Sequence, residues 1–375
     1  MNIPMVDLKN QYLKIKDQID NAILNVIDKT QFINGDDVKL FKNELAEYLK
    51  VKHVIPCGNG TDALQVALMA LDLKPGDEVI SSDFTFIATV ETIALLGLKP
   101  VMVDVDPDTF LIDPDKIEKV ITPRTKAIMP VHLFGQCADM DRIMAIAEKY
   151  NLFVIEDTAQ AIGSDFKSEK AWVKKAGTIG NIGCTSFFPS KNLGCYGDGG
   201  AIFTNDDELA QKISILVNHG MKVRYYHDLI GVNSRLDSIQ AAILRIKLPY
   251  LDSYNQARVN AANYYDKAFA GCEKIITPKR FEKSTHTFHQ YTLRLVNVNR
   301  QKLMEHLASK GIASAVYYPV PLHKQKAFQQ FDYNPSDFPV TDMLCEQVLS
   351  LPMNTELNEE IIKYIAESVL EFVNS

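Results

Sequence analysis

The chain has 375 residues, more than one ordinary hydrophobic core serves and enough for two packed domains. Hydrophobic residues make up 46% and charged residues 23%, the balance of a soluble globular protein. A net charge of −7 argues against a nucleic-acid or anionic-membrane surface as the main partner, while leaving room for a local basic pocket around a phosphorylated ligand.

Between residues 53 and 205, short apolar runs alternate with helix-like stretches. The runs at 53–57, 78–82, 100–104, 126–132, 153–157, 184–188 and 201–204 predict strands. The stretches 61–71, 85–96 and 140–150 carry apolar residues at helical spacing. This alternation predicts an α/β fold with a large, mainly parallel, seven-stranded-type sheet covered by helices. In such sheets ligands bind beyond the carboxyl ends of the strands. After residue 205 come a helical stretch (208–219), a basic and aromatic segment, and a long helical run from 237 to 269. Residues 288–371 read as strand, helix, strand and closing helix, a smaller α+β unit. The expected division is a large domain over 1–250 and a small C-terminal domain over 251–375.

The six cysteines are scattered, with no Cys-x-x-Cys pair and no histidine at zinc-ligand spacing, so no metal site is expected. Reduced thiols, no apolar leader before Asp7 and no membrane-length apolar stretch predict a soluble, cytoplasmic protein.

Three local patterns carry chemistry. Cys57-Gly58-Asn59-Gly60-Thr61-Asp62 follows a strand and opens a helix. Its glycines allow close backbone approach and the helix start offers free N–H groups to a phosphate; Asn59 or Thr61 capping a tight turn is the plainer alternative. Asp157 ends an apolar strand, with Gln160 about one turn later. Its carboxylate either caps a helix or pairs with a protonated pyridine nitrogen. Lys191 lies among aromatics, Pro189 and glycines, in Thr185-Ser186-Phe187-Phe188-Pro189-Ser190-Lys191-Asn192-Leu193-Gly194. A shielded amine suits a Schiff-base nucleophile, and a buried ion-paired lysine is the alternative. Together, a phosphate cradle, a strand-end carboxylate and a shielded lysine are the three anchors that pyridoxal 5'-phosphate (PLP) requires. Phe86 offers an aromatic face for its ring, or is plain core.

These segments resemble the DegT-type sugar-nucleotide aminotransferases, a branch of PLP fold type I. The matching stretches are Gly58-Asn59-Gly60-Thr61-Asp62-Ala63-Leu64, Phe84-Thr85-Phe86-Ile87-Ala88-Thr89, Glu156-Asp157-Thr158-Ala159-Gln160 and Ser186 to Gly194. Gly231-Val232-Asn233-Ser234-Arg235-Leu236-Asp237 and Tyr318-Pro319-Val320-Pro321-Leu322-His323 match too. The resemblance runs from about Val6 to Pro352 and implies the aspartate-aminotransferase fold. By this resemblance Lys191 would carry the cofactor, Asp157 would pair with its ring nitrogen, Gln160 would bond its phenolic oxygen and Phe86 would stack on the ring. Gly60, Thr61 and Ser186 would hold the phosphate, with Asn233 reaching it from the partner of an obligate homodimer.

The nearest branch aminates C3 of a UDP-linked 2-acetamido-2-deoxy-3-oxo-glucuronate with L-glutamate, for surface polysaccharides such as the O-antigen of lipopolysaccharide. There a basic residue matching Arg235 and a His-Tyr pair contact the sugar. Here the pair is Tyr317-Tyr318, a departure that leaves a neutral UDP- or dTDP-linked keto-deoxysugar as the alternative. Between residues 218 and 235 lie Lys222, Arg224 and Arg235 with one acid, Asp228, and interleaved aromatics. Such a segment suits a diphosphate, a uronate and a sugar face, or else is a solvated loop or dimer contact. A PLP-dependent sugar dehydratase generally has histidine where Lys191 stands, and a non-catalytic sugar-nucleotide sensor has no obvious use for Asp157, Gln160, Ser186 and Lys191 together.

Overall fold

A computed structural model of the chain describes residues 2–375. Seven strands form the main sheet: β1 (His53–Cys57), β2 (Glu78–Ser82), β3 (Lys99–Val103), β4 (Thr125–Met129), β5 (Phe153–Asp157), β6 (Ile182–Ser186) and β7 (Gly200–Thr204). Their spatial order is β1-β7-β6-β5-β4-β2-β3. The five central and edge strands β6, β5, β4, β2 and β3 run parallel, and β7 is antiparallel to both its neighbours. Every residue of β2, β6 and β7 is buried, which is why these strands read as unbroken runs rather than alternating ones.

Several strand bounds shift by one or two residues from the sequence reading, and two strands stop short of it by more than one residue, each for a local reason. β4 stops at Met129 because Pro130 has no N–H to give a ladder, although Val131 still bridges Asp157. β6 stops at Ser186 because the chain turns out of the sheet there. Phe187 N donates to Gly199 O at 2.7 Å, and Phe188 N to the Ser186 hydroxyl at 3.2 Å. The long helical run after 237 is also divided, with Pro249 in a tight turn (Leu248–Tyr250) between helices Ser238–Lys247 and Leu251–Phe269.

Helices Lys16–Lys29 and Asp36–Leu49 precede the sheet and pack on helix Ser238–Lys247, through Ile15, Ile19 and Ile243, and through Phe41, Leu45, Ala241 and Leu244. The C-terminal part has its own antiparallel sheet, β8 (Ile275–Ile276), β9 (Tyr291–Leu295) and β10 (Val348–Leu351). Helices Leu251–Phe269, Arg300–Ser309 and Glu359–Asn374 cover it. Tyr265, Leu293, Leu303, Leu349 and Ile365 form a second core, which Ile3 joins from the other end of the chain. Among the described residues, no helix is long and apolar enough to cross a membrane.

Candidate active site

The carboxyl ends of the sheet strands open into a cavity of about 600 Å³ between the two cores. Gly60, Thr61, Phe86, Asp157, Gln160, Ser186, Lys191, Tyr317 and Tyr318 all line it. They come from five separate segments of the chain, and the sheet topology brings them together.

One end of the cavity is the start of helix Gly60–Ala70. The Asn59 side chain caps it, accepting from Asp62 N at 2.8 Å, so the capping role falls to Asn59 rather than Thr61. The first N–H groups, those of Gly60 and Thr61, have no intrahelical acceptor and are available to an anion. A Cβ on Gly60 would stand 2.6 Å from Ser186 Cβ, so only glycine lets this helix start come so close to the end of β6. Ser186, Thr61 and the two N–H groups therefore share one corner.

Asp157 is buried at the end of β5, and each carboxylate oxygen has one donor. Thr89 Oγ1 donates to Oδ2 at 2.8 Å, and Ala159 N to Oδ1 at 3.1 Å. The latter is a turn contact of the capping kind. Asp157 also lines the cavity. Its neighbour Glu156 is wholly buried and accepts from Gly177 N, Ile179 N and Gly180 N, with His132 Nε2 at 2.8 Å. That network fixes the strand end that presents Asp157. Gln160 accepts from Phe134 N at 2.9 Å and donates to the Tyr318 hydroxyl at 3.1 Å.

Lys191 sits on a turn closed by its own N–H donating to Phe188 O at 2.8 Å. The loop is shut at its base by Cys195 N to Phe187 O, 2.8 Å, and gripped from outside by Lys247 Nζ, which donates to Gly194 O at 2.7 Å. Surrounding protein atoms strip water from the Lys191 amine and bring its pKa down to about 8, with the Asp157 carboxylate pulling the other way. Among the described residues Lys191 makes no ion pair, so the alternative of a salt-bridged structural lysine does not hold. Exposed faces of Phe86 and Phe188 supply apolar surface inside the cavity.

Asn233 and Arg235 do not line this chain's own cavity. Asn233 is exposed and bridges Asn218, while Ser234 Oγ accepts from Gly58 N at 2.9 Å, so the segment passes behind the helix start. The basic segment before it forms a small hairpin, with Val223, Tyr225, Tyr226 and Ile230 exposed by 60%, 76%, 70% and 91%. So much bare apolar surface is unusual for a solvated loop.

Sequence reasoning missed Thr89, His289, Gln290 and Lys247. Thr89 stands in the first turn of helix Ala88–Leu95, a position that its residue type alone does not single out. His289 lines the cavity with 5% exposure; burial, then Lys191 and Arg258, hold it neutral well below the usual histidine range.

The profile of the DegT/DnrJ/EryC1/StrS aminotransferase family matches residues 13–370. The chain belongs to this family. A Geobacillus stearothermophilus protein named a pleiotropic regulatory protein is 47% identical over 374 residues, 99% of each chain. The UDP-2-acetamido-2-deoxy-3-oxo-D-glucuronate aminotransferase of Pseudomonas aeruginosa is 47% identical over 98% of this chain and 99% of its own. The UDP-N-acetyl-3-dehydro-alpha-D-glucosamine 3-aminotransferase of Acidithiobacillus ferrooxidans is 46% identical over 97% and 96%. This DegT-family chain is thus an enzyme of the sugar-nucleotide aminotransferase type, with PLP as its cofactor. The residues present fit that group: a glycine-lined helix start, a buried strand-end carboxylate and a lysine without a protein partner share one cavity.

Proposed function

We propose that the chain transfers the amino group of L-glutamate, leaving 2-oxoglutarate, to C3 of a UDP-linked 2-acetamido-2-deoxy-3-oxo-hexose, with the glucuronate as the first choice. The single observation that carries a transaminase reading is Lys191, unpaired and low in pKa, beside Asp157 in a cavity that begins at a helix N-terminus.

Bound PLP supplies an electron sink for negative charge at the donor's α-carbon. In this reading Lys191 would hold the cofactor, and its amine would take up the proton that leaves the donor's α-carbon. Asp157 keeps the ring nitrogen protonated, and Thr89 and Ala159 N orient its carboxylate. Gln160 bonds the phenolic oxygen, and Phe86 covers the ring. Gly60, Thr61 and Ser186 hold the phosphate. Tyr317 and Tyr318 face the sugar.

Asn233 and Arg235 act across a homodimer in this proposal, Asn233 on the partner's phosphate and Arg235 on the partner's sugar. Their position outside the chain's own cavity and the bare apolar hairpin beside them support it. The enzyme would work in the cytoplasm and supply an aminated sugar nucleotide for surface polysaccharide.

A neutral sugar is the second reading, and one observation favours it. No arginine lines the chain's own cavity among the described residues, and Asp198 does. A uronate carboxylate would then depend wholly on the partner's Arg235. A glutamate-coupled assay over UDP- and dTDP-linked 3-oxo and 4-oxo sugars tests both readings. Turnover of a 3-oxo UDP sugar is expected, and turnover of 4-oxo sugars alone would overturn the C3 assignment. A purified protein whose near-ultraviolet or visible absorption does not shift on adding glutamate would overturn the transaminase reading in favour of a sensor.

A further inference from the structure

The outer wall of the cavity is a strap, residues 316–322, which carries Tyr317 and Tyr318. Just before it, Ala315 pairs with Ser350 of β10 through two backbone bonds, 3.1 and 2.7 Å. From Val316 to Pro321 no backbone group bonds beyond the strap's own C-terminal turn among the described residues. Pro319 and Pro321 have no N–H to give. A segment without backbone ladders is held by whatever its side chains and ends can grip.

Besides the buried Leu322, the strap has two polar grips. Near its start, the Tyr318 hydroxyl accepts from Gln160 Nε2, and its ring packs edge-on to Phe84 with centroids 5.9 Å apart. At its end, Asp83 takes hold of His323 twice. His323 N donates to Asp83 Oδ1 at 2.7 Å, and His323 Nδ1 lies 2.6 Å from Oδ2. Asp83 is 1% exposed and His323 6%, and the His323 ring stacks on Phe338 at 4.4 Å. Asp83 directly follows β2 and stands three residues before Phe86. The same strand end therefore presents Phe86 to the cavity and anchors the strap opposite it. Lys191 and Asp157 have no bond to the strap; their own supports are the 187–195 loop, Thr89 and β5.

We propose that Asp83 and His323 are a positioning pair that sets the sugar side of the cavity, so that acceptance of the keto-sugar depends on them while reaction with the amino donor does not. This rests on the reading that Tyr317 and Tyr318 face the sugar. A buried, two-point contact to a carboxylate fixes the strap's end in both direction and distance, which a single bond does not. With the end released, the tyrosines keep the Gln160 and Phe84 contacts, but the strap's C-terminal end loses its carboxylate anchor and the wall opens there.

The test separates the two half-reactions in the holoenzyme. His323→Leu should raise the KM for a UDP-linked 3-oxo sugar by about tenfold or more, as expected for one lost charge-assisted contact. The rate of the spectral change on adding glutamate should stay within about twofold. Amide hydrogen exchange over 316–322 should quicken, with β2 unchanged. Asp83→Asn keeps an acceptor for His323 N and can donate to a neutral Nδ1, so it should rescue the sugar KM where Asp83→Ser does not. Should His323→Leu fail to fold, Asp83→Ser carries the same expectation. Equal losses in both half-reactions, or an unchanged sugar KM in Asp83→Ser, would overturn the proposal. Tyr317→Ala reports on the underlying reading separately: an unchanged sugar KM there removes the tyrosines from the sugar, whatever the pair does.

Discussion

The hydroxyl of Thr89, in the first turn of the helix after β2, donates to the Asp157 carboxylate of β5 at 2.8 Å, with both residues buried. If Asp157 serves the ring nitrogen, Thr89 decides which way its carboxylate points. Thr89→Val keeps the shape and removes the donor. A lost charge-assisted bond of roughly 1.5–3 kcal/mol corresponds to about ten- to hundredfold. Retention of PLP and of its aminated form should weaken by about that much, as measured by dialysis and absorbance, and Thr89→Ser should restore it. Unchanged retention in Thr89→Val would mean that the Ala159 N–H alone orients the carboxylate.

That contact also marks where the sequence stopped being legible. Asp157 and Ser186 end apolar strands, and Gly60 opens a helix directly after one. Strand ends on one edge of a parallel sheet converge, so local patterns were enough to bring them to one cavity. Lys191 announced itself by its neighbours. Thr89 and His289 did not, because Thr89 reaches Asp157 from a helix start and His289 lines the cavity from a loop, and the direction of each depends on packing between distant segments. Lys247 is harder still. It is 1% exposed and gives its one hydrogen bond to Gly194 O, while its ammonium stands 4.5 Å from the Tyr196 ring centre. A lysine at the end of the helix Ser238–Lys247, two residues after Arg245, gives no sign that it is buried. The strand ends at Met129 and Ser186 moved for reasons that were present in the sequence, Pro130 and a serine able to turn the chain.

Lys191 yields a prediction in pH. Its amine is held down to about 8, by loss of water first, with Asp157 opposing. The neutral amine is the nucleophile, so reactivity rises as pH passes through the folded pKa. An ordinary lysine, with a pKa of about 10.4, is neutral to well under one percent at pH 8. In apoprotein, aldehyde labelling followed by borohydride reduction should therefore map to Lys191 with a midpoint near pH 8. Asp157→Asn removes the charge that raises the pKa, so the midpoint should move lower. A midpoint near 10, or an adduct on another lysine, would reject the assignment. Lys191→Ala should abolish turnover outright.

The dimer proposal is tested by mixing. Asn233 is exposed on its own chain and lies outside its own cavity. Lys191→Ala and Asn233→Ala homodimers should each be impaired, the second chiefly in cofactor retention. After subunit exchange, a heterodimer carries one site with both lesions and one with neither. Activity should recover towards a quarter of wild type in an equal, randomised mixture, since half the dimers are mixed and each has one intact site of two. Were Asn233 to act within its own chain, every site would carry one lesion and mixing would restore nothing.

The proposed uronate preference turns on Arg235. It follows Asn233 by two positions, and on an extended segment side chains two apart share a face. If Asn233 reaches the partner's phosphate, Arg235 points into the same cavity. Unlike Arg245, which pairs with Asp37 and Glu44, Arg235 makes no ion pair within its own chain among the described residues. A guanidinium can hold a carboxylate through two parallel bonds, each worth roughly 1.5–3 kcal/mol. Arg235→Ala should then raise the KM for a UDP-linked 3-oxo-glucuronate by about tenfold or more, and leave the glutamate half-reaction nearly unchanged. For the matched neutral 3-oxo sugar the same substitution should cost less than about threefold, because no carboxylate is lost from a partner. The ratio of kcat/KM for the two sugars in wild type and variant therefore isolates the carboxylate. A wild-type preference for the neutral sugar that Arg235→Ala does not alter would remove the uronate and keep the aminotransferase. Tyr317 would then be the residue to examine, since Tyr317→His restores the pair seen in the uronate branch and should shift the preference towards the acid.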